Sequence, residues 1–234
     1  MPPGNPEQFP MIIPASTVIL LRDAADGLHT LLLRRNSALG FAGGAWVFPG
    51  GRVDPEETAT APDELAAARV AAVRETLEEA QLSIVAESLH YYSHWTTPPV
   101  SPKRFATWFF VARAPLDCAV TVDGGEIHDH LWVRPAEALE KRASGEIELL
   151  PPTFVSLIEL AQCADVEEAL MRIARRQPPV FEPCFLMRPD RTAQSMYAGD
   201  AGYATSDPDA PGPRHRTVLG KTEWQYLNEG VVPW

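Results

Sequence analysis

The chain has little of what marks several large protein classes. Only three cysteines occur in 234 residues, Cys118, Cys163 and Cys184, and no two are spaced as CxxC. Disulfide frameworks and thiolate zinc sites need paired, closer spacings, so neither is indicated. Long apolar runs are missing too. The best, residues 12–21, is interrupted by Pro14, Ser16 and Thr17, and a bilayer span needs about twenty such residues. Residues 1–14 hold five prolines and no basic stretch ahead of an apolar run, unlike a secretory signal. The final four residues match neither the ER-retention nor the peroxisomal address, which leaves a cytoplasmic location as the expectation. Basic residues are the third deficit, 20 Lys+Arg against 31 Asp+Glu, for a net charge of −11. Proteins that bind nucleic acid usually present a basic patch that neutralises phosphates, and an anionic membrane surface selects the same sign. Both partners are disfavoured.

What remains is an ordinary globular composition, 45% hydrophobic and 22% charged. Residues 1–14 read as a disordered lead. Aliphatic runs at 17–22 and 30–35 flank a turn-rich spacer and predict a strand pair. A glycine-rich loop follows, ending in Phe48-Pro49-Gly50-Gly51. Residues 63–81 lack Gly and Pro and are rich in Ala, Leu, Glu and Arg, which predicts a helix with Asp63 as its N-cap. Further strands are expected at 89–96, 105–112 and 128–133, and helices at 137–142, 152–164 and 166–176. A last strand is expected near 180–187, and residues 199–213 read as a loop. The expected division is an α/β domain at 15–150 and a mainly helical extension at 151–234.

The helix at 63–81 carries the unusual chemistry. At about 100° per residue, Glu75, Glu78 and Glu79 crowd one side. Val70, Val73, Leu77 and Ala80 fall opposite and predict the core-directed face. The 75/79 pair is an i,i+4 like-charge pair, and all three acids sit in the last turns, where the helix dipole favours cations. A hard divalent cation with oxygen ligands reverses the sign of that repulsion. The plainer reading is a solvated acidic face.

The loop before this helix decides between them. Gly51, then Glu57, then Arg74-Glu75-Thr76-Leu77-Glu78-Glu79 resembles the Nudix box, a glycine, five residues, Glu, seven residues, and Arg-Glu-aliphatic-any-Glu-Glu. Sixteen residues separate Glu57 from Arg74 here, an insertion of nine, so the equivalence of Glu57 is open. Thr76 stands at an aliphatic position, and Gln81 at the glycine that normally ends the helix. Phe48-Pro49-Gly50-Gly51 is the family's usual lead-in, and residues 126–133 look like its later strand behind an acidic residue. The resemblance implies a Nudix α/β/α sandwich with a mixed sheet over residues 15–150.

It also implies hydrolysis of a nucleoside diphosphate linked to another group, with Mg²⁺ or Mn²⁺. Carried over position by position, Glu75, Glu78 and Glu79 with the Gly50 carbonyl form the metal shell. Arg74 orients the carboxylates or touches phosphate, and Glu75 or Glu126 is the base. Several features look closest to the divergent coenzyme A diphosphatase branch: the long insertion in the box, the segment around His94-Trp95, the segment at 104–110, and the extension after residue 150. A polyanionic substrate makes Arg34, Arg35, Lys103 and Arg104 candidate phosphate contacts. Trp46, Trp95, Trp108 and Trp132 are either core aromatics or a stacking surface for adenine. ADP-ribose or NADH hydrolysis, and a Nudix-like regulator that binds a nucleotide without cleaving it, stay open, as does a homodimer.

Overall fold

The first two aliphatic runs fold as an antiparallel hairpin, β1 (Ile12–Ala24) and β2 (Gly27–Arg35), turning at Gly27 with φ +117°. Both strands are longer than the apolar runs that predict them. The computed structural model describes residues 10–38, 42–116, 119–221 and 223–234. Of the expected disordered lead, residues 1–9 lie outside the described residues, and residues 12–14 belong to β1. Cys118 also lies outside them.

Short strands β3 (Trp46–Val47) and β4 (Gly50–Arg52) follow, then helix α1 (Pro55–Thr60) and the long helix α2 (Glu64–Ala80). Strands β5 (His90–Thr96), β6 (Arg104–Arg113) and β7 (Ile127–Val133) lead to helices α3 (Pro135–Ala143), α4 (Pro151–Leu160) and α5 (Val166–Ala174). Strand β8 (Val180–Phe181) returns to pair with β5, completing a mixed sheet ordered β3-β2-β1-β6-β5-β8, with β4 on β1 and β7 on β2. The β1–β6 and β5–β8 pairs are parallel and the others antiparallel.

Alternation along β1 assigns the two faces of this sheet. Val18 and Leu20 pack with the α2 alanines, while Ile19 and Leu21 pack with Phe154, Leu157 and Leu160 of α4 and with Val166 and Ile173 of α5. The result is the expected α/β/α sandwich. Its second helical layer comes largely from the extension.

Two expectations fail. The extension is not mainly helical. After α5 and β8 it forms a four-stranded antiparallel sheet, β9 (Cys184–Met187), β10 (Ala193–Met196), β11 (His215–Leu219) and β12 (Trp224–Asn228), in chain order. These runs are four or five residues long and mix polar with apolar side chains, so hydropathy alone barely marks them. The α2 face is also rotated from the expected one. Of the four expected core residues, Ala80 is buried and Val73 packs partly buried on the core, but Val70 and Leu77 are 48% and 45% exposed, and Ala67, Ala68, Ala71, Ala72, Thr76 and Glu79 are buried instead. The core-facing side is thus the side of small residues and of Glu75 and Glu79. Small side chains let the helix axis approach the sheet closely, and this approach brings the carboxylates to the β4 backbone.

Candidate active site

β4 lies antiparallel to β1, with Gly50 opposite Thr17 and Gly51 opposite Ser16. Gly50 has φ +154°, and a Cβ there would lie 2.2 Å from the Ser16 carbonyl oxygen. A Cβ on Gly51 would lie 2.3 Å from Glu75 Oε1. The pair of glycines therefore leaves only backbone where α2 approaches. Into that space Glu79 inserts its carboxylate, and the Gly50 N–H donates to its Oε2 at 2.8 Å. Burial pushes the Glu79 carboxyl up to about 8 despite this hydrogen bond, and it also raises the neighbouring Glu75. Gln81 closes α2 in the left-handed conformation (φ 56°, ψ 29°), with its N–H on the Leu77 carbonyl. A non-glycine residue there costs on the order of 1 kcal/mol, and the turn keeps its geometry. Thr76, at the aliphatic position, is buried and donates its hydroxyl back to the Ala72 carbonyl at 2.7 Å.

Arg74 gathers the acids. Its Nε and Nη2 donate to the two oxygens of Glu57 at 2.9 and 3.2 Å, and its Nη1 donates to Glu75 at 2.8 Å and Glu78 at 3.1 Å. Nη2 also donates to the Arg52 carbonyl at 2.9 Å. The hydrogen bonds to Glu57, above all, raise the guanidinium above its ordinary value. Glu57 sits in α1, whose capping box pairs it with Asp54, and the stretch from Glu57 to Arg74 runs through the end of α1, residues 61–63 and the first turns of α2, which bring Arg74 back over Glu57. Sixteen intervening residues do not displace Glu57 from this arginine.

Glu75, Glu78 and Glu79 line a cleft of about 1,000 Å³ together with Arg35, Gly50, Gly51, Asp123 and Glu126. Arg35 ends β2, and its Nη2 is 3.7 Å from Glu126 Oε2, while its buried Nε has no hydrogen-bond partner among the described residues. Asp123 accepts the N–H groups of Glu126 and Ile127 at 3.0 and 2.9 Å and so fixes the turn that carries Glu126 to the rim. Lys103 also reaches the cleft, but Arg34 and Arg104 do not line it. Arg34 is the exposed neighbour of Arg35 on a strand, and the Arg104 Nε is spent on the Thr97 carbonyl at 3.1 Å. The four tryptophans form no common surface. Only Trp95 lines the cleft; Trp46 is core, Trp108 packs on Tyr91 and His94, and Trp132 lies beneath Arg22.

Sequence reasoning missed Ser16, which lines the cleft and whose buried hydroxyl has no partner among the described residues. Inside an aliphatic strand nothing marks it. It also missed the residues that the extension contributes, because nothing local ties a distant short strand to the Glu75 site.

The NUDIX domain family matches residues 11–152. The chain belongs to the NUDIX family. Its curated relatives include acyl-coenzyme A diphosphatase NUDT19 of Xenopus laevis, 31% identical over 138 residues, covering 56% of this chain and 36% of that protein. A Mycobacterium tuberculosis protein named as a candidate 8-oxo-dGTP diphosphatase 3 is 29% identical over 182 residues, covering 73% of this chain and 76% of its own. The chain spans little more than a third of the Xenopus protein's length. Among solved structures, a NUDIX hydrolase from Alicyclobacillus acidocaldarius superposes with TM-score 0.63 at 24% identity, over 69% of this chain and 96% of that one, and shares the fold.

Nudix hydrolases generally use divalent metal ions, and the donor chemistry fits one. Every acidic group at this end of the cleft offers hard oxygen ligands, and burial of like charges together is what raises Glu75 and Glu79. Among the described residues, however, no three acidic, histidine or cysteine side chains are arranged as a closed metal-holding group. Arg74 Nη1 donates to one oxygen of Glu75 and one of Glu78 in this arrangement. No helix among the described residues is long and apolar enough to cross a membrane.

Proposed function

We propose that this chain hydrolyses the pyrophosphate bond of a nucleoside diphosphate derivative, with Mg²⁺ or Mn²⁺, and that coenzyme A or an acyl-coenzyme A is the substrate. The observation that carries the reading is the convergence of Glu75 and Glu79 on the Gly50–Gly51 backbone, beside Arg35, whose Nε has no hydrogen-bond partner among the described residues. Glu75, Glu78 and Glu79, with the Gly50 carbonyl, would hold the metal. When bound, such an ion neutralises phosphoryl oxygens and lowers the pKa of a bound water. The chain's own residues do the rest. Arg35 lines the cleft beside Glu126 and binds a phosphate oxygen there. Arg74 keeps its bidentate hold on Glu57 while Nη1 gives up Glu75 and Glu78, so it acts as a positioning residue. Glu75 in the interior, or Glu126 at the rim, takes the proton from the attacking water. The name of the Xenopus relative supports coenzyme A as the substrate class.

The test is product analysis with Mg²⁺ on coenzyme A, acyl-coenzyme A, ADP-ribose, NADH and 8-oxo-dGTP. Release of 3′,5′-ADP and phosphopantetheine is expected. Preferred cleavage of ADP-ribose or NADH moves the substrate and keeps the chemistry. Absence of turnover with any substrate and either metal refutes the enzyme and leaves a nucleotide-binding regulator.

A further inference from the structure

The cleft has a second arm that the pyrophosphate chemistry leaves unused, and the extension builds one of its walls. In the four-stranded sheet, Phe185 pairs with Ser195 and Ser195 with Thr217. With side chains alternating by two, Phe185, Ser195, Tyr197 and Leu219 share one face, and all four line the cleft. The opposite wall is the face of the large sheet that carries Thr17 of β1 and Phe105, Thr107 and Phe109 of β6. None of these wall residues is charged. Among the described residues, the acids of the cleft come from the α2 end and the segments beside it, at Asp54, Glu75, Glu78, Glu79, Asp123 and Glu126. Lys103 lies on the β5–β6 loop, 5.8 Å above the Phe105 ring.

The arm does not suit a nucleobase. Among the described residues, no Asn, Gln or His lines the cleft to read a base edge. The Trp95 ring already stacks on Phe181 at 3.8 Å and 8°, with Tyr197 edge-on to both. The Trp95 indole N–H and the Tyr197 hydroxyl are bonded to Ser93 and Thr217. The remaining groups are apolar surfaces and hydroxyls.

We propose that the sheet at Cys184–Asn228 completes a subsite for a flexible, uncharged chain on the group attached to the diphosphate, and so sets specificity for long-chain substrates. This rests on the pyrophosphate being held at α2, as in the function proposed above. A linear chain loses water along its whole length in such an arm, and each buried methylene contributes roughly a threefold to fourfold gain. The hydroxyls of Thr17, Thr107 and Ser195 tolerate an amide or thioester within the chain.

The test uses the full chain with Mg²⁺ and ADP esters of linear alcohols from ethyl to octyl, following AMP release and, by calorimetry, binding. The ratio of kcat/KM for hexyl to ethyl ester should be at least about tenfold, with Kd falling in parallel. Leu219→Trp, which fills the arm, and Phe185→Ala, which strips its wall, should both bring that ratio toward one. Thermal melts report folding, and Phe185→Ala serves if Leu219→Trp fails to fold. Chain-independent rates and affinities, unchanged ratios in the folded variants, or sensitivity to the base in place of the chain overturn the subsite. Chain-dependent binding without turnover keeps the subsite and refutes the enzyme. Cleavage of coenzyme A with chain-independent binding does the reverse.

Discussion

Gly51→Ala separates metal binding from folding more cleanly than removal of a carboxylate. The new methyl would lie 2.3 Å from Glu75 Oε1 and 2.4 Å from its carboxyl carbon. Ordinary van der Waals contact begins near 3.4 Å, so the carboxylate must move by about 1 Å. What moves is the end of a flexible side chain, and Gly51 is not on the positive-φ side. The folded state therefore loses little, and the alanine stiffens the unfolded chain by roughly 0.4–1 kcal/mol. A displacement of that size at a reacting centre can cost about a hundredfold in rate. The expected result is a melting temperature within a few degrees of wild type in EDTA, a Mn²⁺ affinity at least about tenfold weaker by paramagnetic resonance, and a kcat/KM near one hundredth. Gly50→Ala is the contrasting control. Its methyl meets the Ser16 carbonyl at 2.2 Å and the Thr17 Cα at 2.7 Å, so backbone must shift and the fold should weaken. Wild-type Mn²⁺ affinity in Gly51→Ala would show that Glu75 is not a ligand.

Glu79→Gln keeps an acceptor for the Gly50 N–H but removes a buried charge. A carboxyl raised to about 8 binds a proton in the folded state that the unfolded chain has released, so its contribution to stability falls as pH rises from about 4.5 to 8. In EDTA at pH 8.5 the variant should melt no lower than wild type while turnover drops about a hundredfold or more; a clear loss of stability contradicts the burial argument. The rotated helix face is tested by two changes: Leu77→Gln should shift stability by no more than about 0.5 kcal/mol, and Ala72→Leu should cost about 1–3 kcal/mol. The reverse order in denaturant melts would restore the hydropathy-based face. Burial holds the His215 imidazole below its ordinary 6.5, with ring nitrogens bonded to the Ala198 carbonyl and the Tyr226 hydroxyl. The unfolded chain then binds more protons on acidification, so stability is lost as pH falls through about 6.5, and a ring titration by NMR at or above that value refutes it. Arg74→Met leaves Glu57 and Glu75, 11% and 15% exposed, without their shared cation. Stability in EDTA should fall, and the rise in melting temperature on adding Mg²⁺ should exceed that of wild type; an equal or smaller rise contradicts the role of Arg74 as internal counter-charge.

The elements were legible where propensity and pattern agreed. Asp63 caps α2 through the Ala66 N–H at 2.8 Å, and the aliphatic runs found their strands because burial on both faces of a central sheet selects continuous apolar sequence. On α2, apolar size does not track burial at Val70 and Leu77. Close approach to Gly50 and Gly51 selects alanine instead, and it leaves Val70 and Leu77 outside. Of the candidate cations, Arg35 and Lys103 reach the cleft and Arg34 and Arg104 do not, a distinction that strand pleat and loop shape make and composition does not. The second sheet is invisible for another reason: its strands are short, and its partners are each other and a cleft built by residues far back along the chain.

The charge of this chain is best understood through Arg74. Between Gly50 and Leu82 there are eight acids and three bases, an imbalance that would repel an anionic substrate across the Debye length of about 8 Å at physiological salt. One guanidinium ties Glu57, Glu75 and Glu78 together through geometry that only a planar fork supplies. The site is thereby folded and partly neutralised before any ligand arrives. If Glu75 and Glu78 hold a divalent ion as proposed, Nη1 would give up those two carboxylates while Nε and Nη2 stay on Glu57, so a contact would be lost without dismantling the frame. That division of labour explains why the insertion is tolerated. Its nine residues lengthen the path from Glu57 to Arg74, yet the first turns of α2 bring Arg74 back over Glu57, and the carboxylates that face the cleft keep their places.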